Sequence, residues 1–254
     1  MILRKVDFGE ADRIFTLFTL ERGKVPAIAK SVRKASSRMS GQLDIFAHGQ
    51  MMLAEGRSMD VVTQFKRITR GDGLSGDLPR SAAAAVVVEV ADKVLEERHP
   101  QPDLFAIVAG ALARLADPEI APRMELADFL MRVLVELGYA PQLEECARCG
   151  RPLGETGLGF SPIAGGVICP ACNASWSVAP RISARTVKIL RVIAAGDRDL
   201  FFRLRVDEDD ITAVERALEA QLQHHLDRQL KSIEFARQTR HPRPARARKQ
   251  GGKT

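Results

Sequence analysis

Apolar positions in the first 70 residues come in short stretches. Residues 2–6, 13–20, 24–29, 44–53 and 60–68 are separated by Phe8-Gly9, Arg22-Gly23, Ser40-Gly41 and Gly56-Arg57-Ser58, all turn-forming residues. The pattern predicts five strands, and five strands in so few residues suit a small closed or nearly closed barrel. Alternation fails at Ile14-Phe15-Thr16-Leu17-Phe18. A barrel whose outside also packs on another domain would produce that failure.

The pattern changes at 71–79, Gly-Asp-Gly-Leu-Ser-Gly-Asp-Leu-Pro, which reads as a linker. Helical spacing follows. Ser81 is the expected cap of a helix reaching about residue 97, with Val87, Val90, Val94 and Leu95 on one side. Asp103 opens a second helix carrying Leu104, Ile107, Val108, Ala111, Leu112 and Leu115. A third covers 120–137 and stops at Gly138, and Ser183 caps another that ends at Gly196. A last one begins near Asp209, and Ile211, Val214, Leu218, Leu222, Leu226, Leu230 and Ile233 keep helical spacing throughout. Strands followed by helices give an α+β chain. Its expected divisions are 1–72, 79–236 with an embedded cysteine module at 143–180, and a tail at 237–254. The tail has seven Lys or Arg residues, no acid and no apolar period, so disorder is expected there, with nonspecific phosphate contact open to it.

Composition narrows the picture. Aromatics are 5% of 254 residues, so Leu, Val, Ile and Ala must build the core. The net charge of +6 suits a polyanionic partner but does not locate it. No run of about 18 apolar residues exists and the N-terminus has no apolar stretch after its charges, so neither a membrane span nor a secretory signal is expected. The expected place is the cytoplasm, where thiols stay reduced.

In that compartment the cysteines read as metal ligands. Cys146-Ala-Arg-Cys149 and Cys169-Pro-Ala-Cys172 have zinc-ribbon spacing. Zn²⁺ takes four thiolates in a tetrahedron, and no open coordination position is evident, so the site is expected to be structural. Gly150 follows the first pair and Asn173 the second. Both tolerate the left-handed backbone that turns N–H groups toward sulfur. Arg148 and Arg151 can offset part of the charge. A redox dithiol would sit beside a βαβ pattern, which is absent.

The second constellation is basic. No acid occurs from Arg22 to Leu43, while Arg22, Lys24, Lys30, Arg33, Lys34 and Arg38 alternate with Ser31, Ser36, Ser37 and Ser40. Cations neutralise phosphates and hydroxyls bond to them, so a barrel loop of this kind suits single-stranded nucleic acid. A solvated charged loop is the plainer alternative. Phe15, Phe18, Phe46 and Phe65 are candidates to stack on bases or to fill the barrel.

The stretch from Phe8-Gly-Glu-Ala-Asp-Arg-Ile-Phe-Thr-Leu-Phe-Thr19 through Gly23-Lys-Val and Ala29-Lys-Ser-Val-Arg-Lys-Ala-Ser-Ser-Arg38 resembles the N-terminal domain of the RecO family of bacterial DNA repair proteins. Leu43-Asp-Ile-Phe46, Glu55-Gly-Arg-Ser58 and Val61-Val-Thr-Gln64 continue the likeness. It extends to Leu137-Gly-Tyr139, the paired cysteines and Leu226-Asp-Arg-Gln-Leu-Lys-Ser232. The resemblance implies an OB-fold barrel, a helical domain, a zinc module and a mediator role in the RecF recombination pathway at the nucleoid. It implies binding of single- and double-stranded DNA, annealing of complementary strands, and help in loading RecA onto coated single strands. It implies as partners RecR and the acidic C-terminal tail of single-stranded DNA-binding protein; a groove on the helical domain, lined by leucines and an arginine the sequence does not single out, is the expected seat of that tail. By motif position the DNA-binding set is Lys24, Lys30, Arg33, Lys34 and Arg38, with Arg13 added. Some family members lack the cysteines, which fits a structural role. Two departures stand out. The chain begins inside the first strand, implying a late start or a short strand, and Ser31 replaces a glycine common after the lysine.

Other chemistry finds little footing. There is no Gly-x-x-x-x-Gly-Lys-Ser/Thr loop, and His48, His99, His224, His225 and His241 lack metal spacing. The acids from 207 to 210 suit a helix start. A zinc-ribbon nucleic-acid enzyme would need a carboxylate cluster or a nucleophilic Tyr, and the only Tyr is Tyr139. An adaptor that binds no DNA is the remaining rival.

Overall fold

A computed structural model describes residues 1–37, 39–69, 74, 76–176, 179–226 and 230–240. Strands β1 (Ile2–Phe8), β2 (Asp12–Thr19), β3 (Gly23–Ala29), β4 (Gly49–Ala54) and β5 (Asp60–Arg67) form one sheet in the order β1-β2-β3-β5-β4. Only the β3–β5 pairing is parallel. This is a five-stranded, partly open Greek-key barrel of the OB type. β1 spans seven residues. No ladder joins it to β4. The Ile2 N–H donates to Ala47 O (3.0 Å) and the Phe46 N–H to Ile2 O (3.1 Å), so the segment before β4 bridges the gap.

Phe15, Leu17, Ala27, Ala29, Leu43 and Val62 fill the barrel. Phe18 does not. It belongs to the helical core and lies edge-on to Phe105 at 5.2 Å. The broken alternation on β2 thus marks the strand that faces both cores.

The helical domain comprises α1 (Leu78–Val94), α2 (Pro102–Leu115), α3 (Pro122–Glu136), α4 (Pro170–Trp176), α5 (Ala184–Ala194), α6 (Arg198–Arg203), α7 (Glu208–Leu226) and α8 (Lys231–Arg240). α1 starts earlier than expected. Asp77, not Ser81, is its cap, accepting the Arg80 N–H at 3.0 Å. Pro79 decides between them, because proline lacks an N–H and belongs in the first turn. α2 begins at Pro102, one residue before Asp103. The Ser183 cap is present, its hydroxyl accepting the Thr186 N–H at 2.9 Å, and so is the Asp207 cap on Asp210 N at 2.8 Å.

The continuous last helix is not found. Residues 227–229 lie outside the described residues, Leu230 is not helical, and α8 is a separate helix packed on α1. The Glu89 carboxylate of α1 accepts the Ser232 N–H (2.7 Å) and the Lys231 N–H (3.2 Å). A carboxylate there satisfies orphan donors and the positive end of the helix. α8 continues to Arg240, into the stretch expected to be disordered. The remainder of that tail, 241–254, lies outside the described residues, as do 71–73 and 75 of the expected linker, whose last two residues, Leu78 and Pro79, already belong to α1.

Barrel and helices meet at β3. Gly23 has φ +64°, and a Cβ there would stand 2.0 Å from His99 O. The Arg98 N–H donates to Lys24 O at 2.9 Å. Asp60, almost fully buried, receives Arg22 at 3.0 Å and Arg98 at 3.5 Å.

Candidate nucleic-acid interface and metal centre

The basic segment divides into two populations. Lys24 and Arg22 point into the joint. The Lys24 ammonium donates to Asp92 O at 2.7 Å and lies 3.6 Å from Asp92 Oδ1, with its side chain only 16% exposed. Arg22 is held by Asp60. Lys24 braces the barrel against α1, while Arg22 is held within the barrel by Asp60, which also receives Arg98; Lys24, ion-paired and mostly buried, is less open to a phosphate than the exposed Lys30.

Lys30, Arg33 and Lys34 lie on the loop after β3 and are exposed. Lys30 and Lys34 make no ion pair among the described residues. Arg13 of β2 donates to Asp7 of β1 at 2.6 Å, and Arg33 Nε lies 3.6 Å from the other oxygen of that carboxylate. The Arg13 guanidinium beside Asp7 holds its carboxyl below the usual range. Arg13 and Arg33 are thereby gathered beside the two unpaired lysines. Arg38 lies outside the described residues.

Ser31 turns this loop with φ 54°, the left-handed conformation that glycine adopts without strain. Its N–H is held by Asp12 Oδ1 at 2.7 Å. The serine therefore keeps the glycine-like turn, and a hydrogen bond offsets its strain.

The aromatic candidates fall mostly inside. Phe15 and Phe18 are fully buried, and Phe46 and Phe65 are packed against the two cores. Sequence reading missed Phe8, 53% exposed at the end of β1. Its place beside Gly9 in a turn was the available signal.

The cysteine module is built on β6 (Gly159–Ser161), β7 (Gly166–Ile168) and α4. The sulfurs of Cys146, Cys149, Cys169 and Cys172 all lie within 4.8 Å of one another, and Cys149 Sγ to Cys169 Sγ is 3.9 Å. A tetrahedron with bonds of about 2.3 Å has edges of about 3.8 Å. The spacing fits a single metal ion and is far too long for a disulfide. Cys146 Sγ accepts the Cys169 N–H at 3.3 Å, and Arg151 Nε donates to Cys149 Sγ at 3.3 Å. The Arg151 guanidinium brings the Cys149 thiol down to about 6, while burial and then the neighbouring thiols push Cys172 up to about 12. Four such groups need a cation to ionise together.

Gly150 has φ +68°, as expected. Asn173 does not take the left-handed conformation. It lies in α4, and its side-chain oxygen accepts the Ala179 N–H at 3.0 Å. Among the described residues no histidine joins the cysteine cluster, and Tyr139 stacks on His225 at 4.0 Å. Among the described residues no helix is long and apolar enough to cross a membrane.

Comparison with known proteins matches both halves. The family described as "Recombination protein O N terminal" matches residues 1–70, and "Recombination protein O C terminal" matches 75–234. The chain is 39% identical over 241 residues to the DNA repair protein RecO of Nocardioides sp., covering 92% of this chain and 96% of that protein. The protein of the same name from Roseiflexus sp. is 35% identical over 235 residues, covering 92% and 82%. That from Thermobifida fusca is 37% identical over 235 residues, covering 92% and 94%. The barrel, the helical domain and these likenesses across both place the chain in the RecO family of DNA repair proteins.

Proposed function

We propose that this chain binds single- and double-stranded DNA through the loop after β3 and anneals complementary strands. The observation that carries the reading is Lys30 and Lys34, exposed and without a carboxylate partner among the described residues, beside Arg33 and Arg13. Lysine and arginine on phosphate fix position and carry no sequence information, so base preference is slight. Cations on one surface screen the repulsion between two strands, and pairing then needs no nucleotide hydrolysis. No catalytic step is assigned to any residue.

The family supports a wider role as a mediator that helps load RecA onto coated single strands, with RecR and the acidic tail of single-stranded DNA-binding protein as partners. On the helical domain Pro79, Ala83, Pro122, Leu126 and Ala236 line an apolar hollow of about 270 Å³ beside Arg123. Glu208 also lines it, and Arg123 is already held by Glu208 and Glu215, so it is the apolar lining, able to take an apolar chain end, that supports docking of the tail there. Leucine is less prominent in this lining than the sequence suggested.

The metal is read as zinc, held by Cys146, Cys149, Cys169 and Cys172, and when bound it cross-links the module without taking part in a reaction. Purified protein should carry one zinc per chain, and Cys169→Ser should release it and loosen the module. Stoichiometric free thiols with no metal would refute the assignment.

Annealing of protein-coated complementary strands tests the main reading. The Lys30→Ala/Arg33→Ala/Lys34→Ala variant should anneal slowly while keeping its fold and zinc. Unchanged annealing and DNA affinity would point to the adaptor, and strand cleavage to the enzyme.

A further inference from the structure

The hairpin between β1 and β2 sits against the loop that carries the lysines. Phe8 pairs with Asp12 across the hairpin, the Asp12 carboxylate holds Ser31 N–H at 2.7 Å, and the Arg33 N–H donates to Ala11 O at 2.9 Å. These bonds bring the end of β1 beside Lys30, Arg33 and Lys34. β1 is an edge strand, and from Arg4 to Phe8 every residue is exposed.

Phe8 is the one barrel phenylalanine, among the described residues, that neither core uses. Its neighbouring acids are largely answered. Asp7 is paired with Arg13 and Arg33, and Asp12 with the Ser31 N–H, which leaves Glu10. A ligand for this corner needs a flat apolar face next to an anionic backbone. An unstacked nucleobase on a single strand has both, and base–aromatic stacking tolerates any sequence.

We propose that Phe8 is a base-stacking platform for single-stranded DNA beside the phosphate contacts of Lys30, Arg33 and Lys34. The inference rests on the reading of that loop as the DNA surface. It adds a reason for a single strand to be held differently from a duplex. Duplex bases already stack on one another and offer no face to the ring, so there only the phosphate contacts remain.

The test uses the full chain and measures affinity for an oligothymidine and for a duplex of equal length at several salt concentrations. Phe8→Ala should weaken single-strand binding by roughly 5- to 150-fold. The salt slope and duplex affinity should stay as they were, and Phe8→Trp should restore binding. The triple variant at Lys30, Arg33 and Lys34 should instead lower the slope on both substrates. Phe8→Ala with wild-type single-strand affinity, beside a weakened triple variant, would overturn the stacking role and leave the phosphate surface standing. Equal losses on single strand and duplex would also overturn it, because the ring would then be holding the hairpin. If neither variant lost affinity, both readings would fall.

Discussion

The cations of the barrel loop and those of the helical domain belong to one chain of net charge +6 and behave in opposite ways. Arg80 donates to Leu115 O, Asp117 O and Pro118 O, closing the end of α2. Arg114 grips Glu125 through two bonds of 2.8 and 2.9 Å, and Arg198 reaches both Glu125 and Asp128. Burial pushes both of those carboxyls up, and the arginines oppose it. Arg185 is paired with Asp210 and Arg237 with Glu219. Lys30 and Lys34 have no such partners among the described residues. Net charge therefore says little about where a polyanion binds. The cations the fold leaves unanswered are the candidates for such a surface.

The contrast can be broken from either side. The largest effect should come from Arg114→Ala, which leaves the fully buried Glu125 with one remaining cation. A loss of about 3–5 kcal/mol is expected in urea unfolding, with metal content unchanged. A loss below about 1 kcal/mol would mean that the helical arginines are as dispensable as surface ones. The triple variant at Lys30, Arg33 and Lys34 should do the reverse. Its unfolding midpoint should move by less than about 0.5 kcal/mol. Its salt slope for single strands should shrink by about 2, from roughly 0.7 per contact. Affinity that ignored salt would remove the phosphate contacts altogether. The smallest change is expected from Ser31→Gly, which relieves the left-handed serine and should stabilise by at most about 1 kcal/mol, with DNA affinity little altered. Destabilisation would show that the serine side chain contributes more than its backbone strain costs.

Local features were the ones legible beforehand. The cysteine spacing, the Ser183 and Asp207 caps and the five strands depend on neighbours close in sequence. Lys24 and Lys30 could not be told apart, because the partner that claims Lys24 is Asp92, 68 positions away. The interruption at Leu230 was equally hidden. Leu230 and Ile233 continue the helical spacing, and it is Glu89 on α1 that starts α8 afresh. Asn173 was assigned a backbone role by residue type, yet the helix around it left its side chain free for Ala179. The outer position of Phe8 followed from its turn, a cue outweighed by the more apolar stretches around the other phenylalanines.

The open seam between β1 and β4 has a consequence for crowding. A sheet with exposed edge strands can template another chain when copies are crowded together. Arg4, Lys5 and Asp7 put charge on the free edge of β1. Register shifts between Ile2 and Arg4 and between Met52 and Leu53 interrupt both outer strands. Charge and irregular edges of this kind discourage strand-to-strand aggregation, so neighbouring copies at high concentration can stay apart without joining their sheets.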